Sequence, residues 1–372
     1  MRNAYDLIVV GSGIVGLSVA LAGLEKRWRV LIVDREARPI GASIRNFGFV
    51  TVTGQRSGLT WQRARRTAER WAEICEPAAI PVLQRGLMLA AHEPLSEPIL
   101  DAFLKTPMGA GLEPLDPDEA CRRVPALQRA GLRRAVYSPH ELRIEPRTAV
   151  PALARWLHGK RGIGFLPETV VHEVTENVAV TSRGTLRADR IAVCPGPDLR
   201  TLFPDTFERH QATLCKLQMM RVRTAAAGQL THPVMGDLSL VRYTGYADLP
   251  ESADLKRHLE ITAKSALDQG IHIIVVQSAD GSWVVGDSHH YESSPDPFHD
   301  DAVDRLILEH TARLVDLTDA QVLERWVGVY PSAGRDAFVE SPCPGVRVVS
   351  VTSGTGMSTG LALGEEAIAD WE

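Results

Sequence analysis

The sequence predicts an α/β protein in which a parallel sheet is interleaved with an antiparallel sheet. Three features predict this architecture. A short apolar run leads into a glycine-rich turn and an apolar helix near the N-terminus, and the same succession closes the chain. Between them, from about residue 215, the sequence changes to long segments rich in β-branched residues. Strand–helix succession favours parallel pairing and consecutive strands favour antiparallel pairing, so both kinds of sheet are expected.

The first glycine turn has the spacing of a dinucleotide-binding motif. Residues 7–10 are apolar and rich in β-branched side chains, as in a buried strand, and they run directly into Gly11, Gly13 and Gly16. In such a motif the first glycine allows the tight turn and the second lets the backbone approach a pyrophosphate. The third lets the helix pack closely on the strand, and the helix N-terminus directs its amide groups at the phosphates.

A second strand and an acidic residue complete the motif. Val30–Val33 is again apolar and ends at Asp34, where a carboxylate can accept hydrogen bonds from ribose hydroxyls. The rival interpretation of residues 7–23 as a signal peptide or a membrane span is disfavoured, because glycines interrupt the segment and Asp6 adjoins it. The sequence therefore predicts a Rossmann-like dinucleotide-binding domain.

Length and composition limit the classes of function. At 372 residues the chain is long enough for two domains with sizeable cores. Charged residues make up 23% and the formal net charge is −5, so a broad nucleic-acid-binding surface is not expected. The five cysteines are scattered without a CxxC pair, which favours a reducing cytoplasm and argues against a zinc site. No other stretch is long and apolar enough to span a bilayer.

The segments after Asp34 alternate between loop, helix and strand patterns. Residues 37–55 form a loop whose glycine, serine, asparagine and arginine content suits donors beside a ligand, the alternative being a plain surface loop. Residues 61–75 form a helix, because their apolar side chains recur on one face. The other predicted elements of this half are a strand at 86–90, helices near 97–105 and at 146–158, a strand at 164–174, a hairpin of 178–181 with 185–188, and a strand at 190–194.

The second half is dominated by strands. Residues 213–222, 271–277 and 282–286 are predicted antiparallel strands with one face available to a ligand, and a helix follows at 300–314. A buried strand at 346–351 then runs into a glycine turn and a final helix at 358–371. A second helix N-terminus aimed into the nucleotide-binding domain suits a flavin ring, which becomes anionic on reduction, better than it suits a nicotinamide.

Taken together, these motifs resemble the D-amino-acid oxidase, glycine oxidase and sarcosine oxidase family of FAD-dependent oxidoreductases. The resemblance spans nearly the whole chain and rests on the N-terminal glycines with Asp34, the loop 41–48, the strand and turn 192–196, and the terminal glycine turn 353–358. The Ser-Ile-Arg-Asn-Phe-Gly loop and the Gly-Asp-Ser-His-His-Tyr run at 286–291 also resemble a subgroup associated with phosphonate breakdown.

The resemblance implies an FAD-binding domain of the glutathione reductase type, made of residues 1–84, 143–214 and 331–372. Residues 85–142 and 215–330 would form the substrate-binding domain around an antiparallel sheet. The chemistry implied is hydride transfer from a carbon that bears nitrogen to the flavin, followed by reoxidation by dioxygen. The residues implied to contact FAD are Gly11, Gly13, Ile14, Val15, Gly16, Asp34, Arg35, Ala42, Ser43, Arg45, Asn46, Val171, Cys194, Pro195, Gly196, Gly354, Thr355, Gly356, Met357 and Ser358.

The chain departs from the family pattern in the segment 326–330. Sarcosine oxidases attach their flavin to a cysteine there, and this chain has none, so FAD is expected to bind non-covalently. Amino-acid oxidases carry an arginine there that clamps the substrate carboxylate, and the matching residue here is Tyr330. A phenol cannot form the bidentate ion pair that a guanidinium forms with a carboxylate. The anion is therefore held elsewhere, or the substrate is not a simple amino acid.

Four residues are the main candidates for the substrate site: Arg45, His289, Tyr330 and Arg335. Arg45, His289 and Arg335, together with His290, are cationic side chains that suit a tetrahedral anion such as a phosphonate. Such an anion needs donors from several directions. The weaker candidates are Lys216, Arg242, Trp283 and Tyr291. No metal site is predicted, because Asp287, His289 and His290 are crowded and lack a spaced partner.

The sequence thus predicts an FAD-dependent oxidase of a small primary or N-methylated amine with an anionic tail. A dehydrogenase with a quinone or protein acceptor remains an alternative. A flavin hydroxylase is a second one, because Gly286-Asp287 resembles a motif that such enzymes place before a helix. A non-enzymatic flavoprotein is a third. The oligomeric state is left open.

Overall fold

A computed structural model describes residues 5–225 and 229–371 of the chain. Its strands are β1 (Tyr5–Val10), β2 (Val30–Val33), β3 (Phe49–Val50), β4 (Val82–Ala91), β5 (Glu113–Leu115), β6 (Arg134–Ile144), β7 (Gly164–Leu166), β8 (Val171–Thr175), β9 (Val178–Thr181), β10 (Gly184–Val193), β11 (Thr213–Arg223), β12 (Val234–Met235), β13 (Ile274–Gln277), β14 (Trp283–Gly286), β15 (His290–Glu292), β16 (Gln321–Glu340) and β17 (Val346–Ser353).

The α-helices are α1 (Ile14–Glu25), α2 (Leu59–Cys75), α3 (Ser96–Leu104), α4 (Pro117–Arg123), α5 (Pro146–Arg161), α6 (Pro204–Arg209), α7 (Asp237–Leu240), α8 (Thr244–Ala247), α9 (Ser252–Thr262), α10 (Lys264–Asp268), α11 (Asp301–Leu314) and α12 (Gly356–Ala369). Two short 3-10 turns lie at Ala42–Ile44 and Pro107–Gly109.

β1 lies at the centre of a parallel sheet with the order β7–β2–β1–β10–β17. Leu7 and Val9 pack with α1 and α12 on one face of this sheet, and Ile8 packs with residues of β8 and β9 on the other. Burial on both faces explains why β1 is an unbroken apolar run rather than an alternating one.

The antiparallel part of the sheet is built around β11. β11 pairs with β14, β15 and β16, and β13 pairs with β14. β16 connects the two parts, because its first half pairs with β11 and its second half pairs with β17. The register of β16 shifts between Ser332 and Ala337, where the strand changes partner. The α/β fold with both parallel and antiparallel pairing is confirmed.

Most of the predicted elements are present, with differences where tertiary contacts act. The predicted strand 164–174 is wrong as a single strand, because β7 ends at Leu166 and Glu168 takes a positive φ of 51° between β7 and β8. Conversely, the segments predicted separately at 185–188 and 190–194 form the single strand β10, which pairs first with β9 and then with β1 and β17. Strand β15 follows Gly286 where the sequence predicted no element.

All five cysteines are free thiols. Among residues 5–225 and 229–371, no helix has both the length and the apolar character that crossing a membrane requires.

Candidate active site

The first glycine turn leaves no room for side chains. Gly11 has a φ of 104°, and a Cβ atom there would lie well under 3.0 Å from the carbonyl oxygen of Cys194, the residue after β10. A Cβ atom at Gly16 would collide with the carbonyl oxygen of Gly11 itself. The turn is therefore pressed against β10 on one side and α1 on the other, which is the close packing that a pyrophosphate-binding turn requires.

The Asp34 carboxylate accepts hydrogen bonds from two backbone amides, one in the glycine turn and one in the loop after β2. One carboxylate oxygen accepts a hydrogen bond from the Ser12 amide at 2.6 Å, and the other accepts one from the Glu36 amide at 2.8 Å. Asp34 thus connects the glycine turn to the end of β2. Its neighbour Arg35 forms an ion pair with Asp198 across the smaller of two cavities.

Two adjacent cavities, of about 390 Å³ and about 280 Å³, share walls at Gly13, Ala42, Ser43, Cys194 and Gly196. Every residue predicted to contact FAD lines at least one of them. Those that line only the smaller cavity are Gly11, Asp34, Arg35, Val171 and Pro195. Those that line only the larger cavity are Ile14, Val15, Gly16, Arg45, Asn46, Gly354, Thr355, Gly356, Met357 and Ser358.

The N-terminus of α12 borders the larger cavity and is anchored from behind. The buried Trp71 indole donates a hydrogen bond to the Met357 carbonyl at 3.0 Å. The Ser358 hydroxyl accepts one from the Thr51 amide at 2.9 Å. No side chain caps this helix end, so its positive dipole end is available to an electron-rich group in the cavity.

The larger cavity is also lined by a partly buried arginine, Arg242. The Arg242 guanidinium donates a hydrogen bond to the Tyr291 hydroxyl at 2.6 Å, and both residues line the cavity together with Tyr330. Burial acts to lower the pKa of Arg242, but Tyr291, Tyr330 and Asp287 outweigh it and raise that pKa. Within the described ranges, no carboxylate lies within ion-pair distance of Arg242. From the sequence alone, Arg242 is one of the weaker candidates.

The two adjacent histidines have separate environments. His289 lines the larger cavity, but burial lowers its pKa to about 3, so the side chain is neutral near neutral pH. Its Nδ1 lies 2.9 Å from the Gly270 carbonyl oxygen. His290 lies outside both cavities, and its Nε2 is 2.7 Å from the Gln269 side-chain oxygen. The prediction that His289 and His290 supply positive charge to the site is therefore wrong.

The remaining predicted cations are distributed differently from the expectation. Arg45 lines the larger cavity and is exposed there. Arg335 is exposed on β16 and lines neither cavity. Lys216 forms an ion pair with Asp296 at 2.8 Å, and Trp283 belongs to the hydrophobic core. The structure therefore brings Arg45, His289 and Tyr330 together and leaves Arg335 out.

Sequence reasoning missed a cluster of His272, Asp287 and His289. The ligand atoms of these three buried residues lie within 4.8 Å of one another on the cavity wall. Asp287 was visible in the Gly-Asp motif, and His272 was the one polar residue in the otherwise apolar run 271–276. Only the antiparallel pairing of β13 with β14 brings the two together, because each lies just beyond one end of that pair.

A parallel sheet with two glycine turns that meet at one pair of cavities defines a dinucleotide-dependent oxidoreductase. The FAD dependent oxidoreductase family (DAO) matches residues 6–371. The chain therefore belongs to this family, it is an FAD-dependent enzyme, and the resemblance inferred from its motifs is confirmed.

Solved structures share the fold at low sequence identity. Glycine oxidase from Geobacillus kaustophilus is 19% identical with a TM-score of 0.77, and the alignment covers 99% of this chain and 94% of that one. Iminodiacetate oxidase from Chelativorans sp. BNC1 is 17% identical with a TM-score of 0.74, over 97% and 94% of the two chains. L-α-glycerophosphate oxidase from Mycoplasma pneumoniae, solved with FAD bound, is 14% identical with a TM-score of 0.75, over 100% and 96%. No curated protein matches the sequence.

Proposed function

We propose that this enzyme oxidises the C–N bond of a small primary or N-methylated amine that carries an anionic tail. The product is an imine, which water hydrolyses to an aldehyde or keto product and an amine, with hydrogen peroxide formed if dioxygen accepts the electrons. The observation that carries the proposal is Arg242, a partly buried cation on the cavity wall whose hydrogen-bond partner is a phenol rather than a carboxylate. Such a cation is suited to an anion that arrives with the substrate.

The residues of the two cavities fit FAD. Gly11, Gly13 and Gly16 would hold the pyrophosphate, Asp34 the adenosine ribose, and the N-terminus of α12 the pyrimidine edge of the ring. When bound, the flavin supplies the acceptor for a hydride from the carbon next to nitrogen. The chain contributes orientation and charge, since its own residues position the amine and its tail. The division into domains given above is part of this proposal.

Tyr330 favours an anion other than a plain α-carboxylate. It occupies the position of the arginine clamp expected from the family and lies in the same cavity wall as Arg242. Arg242, Tyr291 and Tyr330 offer donors from separate side chains rather than one planar fork. A tetrahedral group such as a phosphonate suits donors from several directions. This supports an aminophosphonate, or an unusual carboxylate, as the substrate.

Neighbouring enzymes favour oxidation of an amine. Glycine oxidase and iminodiacetate oxidase are named for amine substrates, whereas the glycerophosphate oxidase is named for an alcohol that carries a phosphate. A flavin hydroxylase is disfavoured, because β15 rather than a helix follows Gly286-Asp287. A dehydrogenase that uses a quinone or a protein as the electron acceptor stays the alternative. A cytoplasmic location also stays a prediction from the cysteine pattern.

The test is to reduce the purified holoenzyme with each substrate under anaerobic conditions and to monitor the reduction by the loss of flavin absorbance. The substrates to compare are glycine, sarcosine, 2-aminoethylphosphonate, its N-methyl derivative and glycerol 3-phosphate. We expect an aminophosphonate to bleach the flavin fastest, and Arg242→Gln to weaken its binding about 10- to 100-fold, as expected for hydrogen bonds to a charged group. Arg335→Gln, an exposed arginine outside both cavities, is the matched control.

Several outcomes would contradict the proposal. Fastest bleaching by glycine or sarcosine would exclude the phosphonate preference. Fastest bleaching by glycerol 3-phosphate would exclude C–N oxidation. Equal affinities in Arg242→Gln and the wild type would exclude Arg242 as the anion-binding residue. Repeating the reaction with dioxygen and with a quinone would then separate an oxidase from a dehydrogenase.

A further inference from the structure

Two hydrogen-bond acceptors face each other on the cavity wall near Arg242. Asp287 Oδ2 lies 4.0 Å from His289 Nε2. The His289 Nδ1 atom lies 2.9 Å from the Gly270 carbonyl oxygen, which can only accept, so Nδ1 carries the proton of the neutral ring. His289 Nε2 is then a lone pair directed toward a carboxylate. A separation of 4.0 Å is too long for a direct hydrogen bond and leaves room for a donor that bridges both atoms.

The second oxygen of Asp287 is also incompletely satisfied. Asp287 Oδ1 is buried and has no partner with hydrogen-bond geometry, although His272 Nε2 is 3.1 Å away. Unsatisfied buried carboxylate oxygens are costly and mark positions where a ligand supplies the missing donor. Asp287, His272 and His289 all line the larger cavity, so a ligand there can reach them.

Both acceptors keep their protonation state over the physiological pH range. Burial acts to raise the pKa of Asp287, but the groups around it, among them His272 at 3.1 Å and Arg242, outweigh burial and lower that pKa, so the side chain is ionised. The groups that face the cluster from other elements are Tyr243, which packs edge-on against His272, and Tyr330 and Cys215, from β16 and β11. Burial raises the pKa of all three, so they stay uncharged and Asp287 remains the anion.

We propose that Asp287 and His289 form the subsite for the protonated amino group of a zwitterionic substrate, whose anionic tail is held by Arg242. This inference rests on the proposed function and adds the second half of the recognition. The N–H groups of an ammonium ion match a carboxylate oxygen and an imidazole lone pair on either side of it. The buried anion Asp287 and the partly buried cation Arg242 line a single cavity and together match a zwitterion, because each supplies the counter-charge for one end of the ligand.

A divalent metal ion is the competing occupant of the same three residues, because two histidines and one carboxylate are common metal ligands. The nearby Arg242 argues against it. A bare dication would be repelled by the nearby Arg242 guanidinium, whereas a zwitterion brings an anion for that guanidinium along with its ammonium group. The ammonium subsite is therefore the occupant that the surrounding charges favour.

The experiment is calorimetric binding to holoenzyme whose flavin has been reduced beforehand, so that no turnover occurs. The matched ligands are 2-aminoethylphosphonate and ethylphosphonate, which differ only by the amino group. We expect the wild type to prefer the amino compound, and Asp287→Asn to reduce that preference at least about tenfold while ethylphosphonate binding changes little. Asp268→Asn, an exposed aspartate on α10, is the matched control, and His289→Gln serves as a second variant if Asp287→Asn does not fold.

The outcomes separate this inference from the proposed function. An unchanged preference in Asp287→Asn and His289→Gln overturns the ammonium subsite. Stoichiometric metal in the wild type that is lost in Asp287→Asn, measured by elemental analysis, also overturns it. If the wild type binds neither phosphonate, the proposal that the substrate carries an anionic tail is wrong. The ammonium subsite is then tested by comparing the binding of propylamine with that of 1-propanol. A wild-type preference for propylamine that Asp287→Asn abolishes supports the subsite, and no preference overturns it.

Discussion

A comparison of Gly11→Ala with Gly184→Ala separates the cost of backbone strain from the cost of a steric collision in the first glycine turn. Gly11 has a φ of 104° and would place a Cβ atom against the Cys194 carbonyl oxygen. Gly184 has a nearly identical φ of 108°, but a Cβ atom there meets nothing within 4 Å. The two positions therefore share the conformational cost of a side chain, and only Gly11 adds a collision.

The expected magnitudes follow from these two terms. An unfavourable φ costs about 1–3 kcal/mol at either position. Overpacking against a backbone atom adds about 1–3 kcal/mol at Gly11, because Cys194 directly follows β10 and its amide is hydrogen-bonded to the Val10 carbonyl, which holds its backbone in place. We therefore expect Gly11→Ala to lose about twice as much stability as Gly184→Ala. The movement that relieves the collision also shifts the turn, so FAD binding should weaken about 5- to 150-fold in Gly11→Ala only.

Two measurements check this prediction. Urea unfolding of the FAD-free proteins gives the change in free energy of unfolding, and titration with FAD, followed by flavin fluorescence, gives the dissociation constant. Equal losses of stability in Gly11→Ala and Gly184→Ala would show that the collision with Cys194 is relieved at no cost. Unchanged FAD affinity in Gly11→Ala would show that the turn does not contact the cofactor.

Three further predictions concern the cofactor and the cavity. Acid precipitation should release intact FAD into the supernatant, because no cysteine lies in the segment 326–330, and flavin that stays in the pellet would disprove non-covalent binding. Asp34→Ala should weaken FAD retention by about 1–3 kcal/mol, since it removes the bond to the Ser12 amide and the proposed contact with the ribose, and unchanged retention would mean that Asp34 does not contact the ribose. Burial lowers the pKa of His289 to about 3 from 6.5, so the unfolded chain binds a proton there that the native protein does not, and stability should fall as the pH drops from about 6.5 toward 3. Between about pH 7 and pH 5, His289→Asn should therefore lose about 1–2 kcal/mol less stability than the wild type loses. If the urea midpoint falls by the same amount in both proteins, the neutral state of His289 is contradicted.

Much of the fold was predictable from local patterns. The run from β1 through Gly11 to α1 is short in sequence, and burial of both faces of β1 leaves a continuous apolar signature. The closing β17 and α12 repeat the same signature. The prediction for 164–174 was wrong because the break at Glu168 depends on β7 and β8 joining different partners, β2 and β9. No local pattern reports such a change of partner.

The sequence by itself thus predicted the α/β class, the FAD family and the glycine-turn residues that line the two cavities, because these depend on glycine spacing and on apolar periodicity within short segments. Only the tertiary structure decided the charges around the larger cavity. It buried His289 and made it neutral, left Arg335 in solvent, and placed Arg242 and Asp287 on one cavity wall. The physical reason is that desolvation and Coulomb interactions depend on every group that surrounds a side chain, and those groups come from distant parts of the chain.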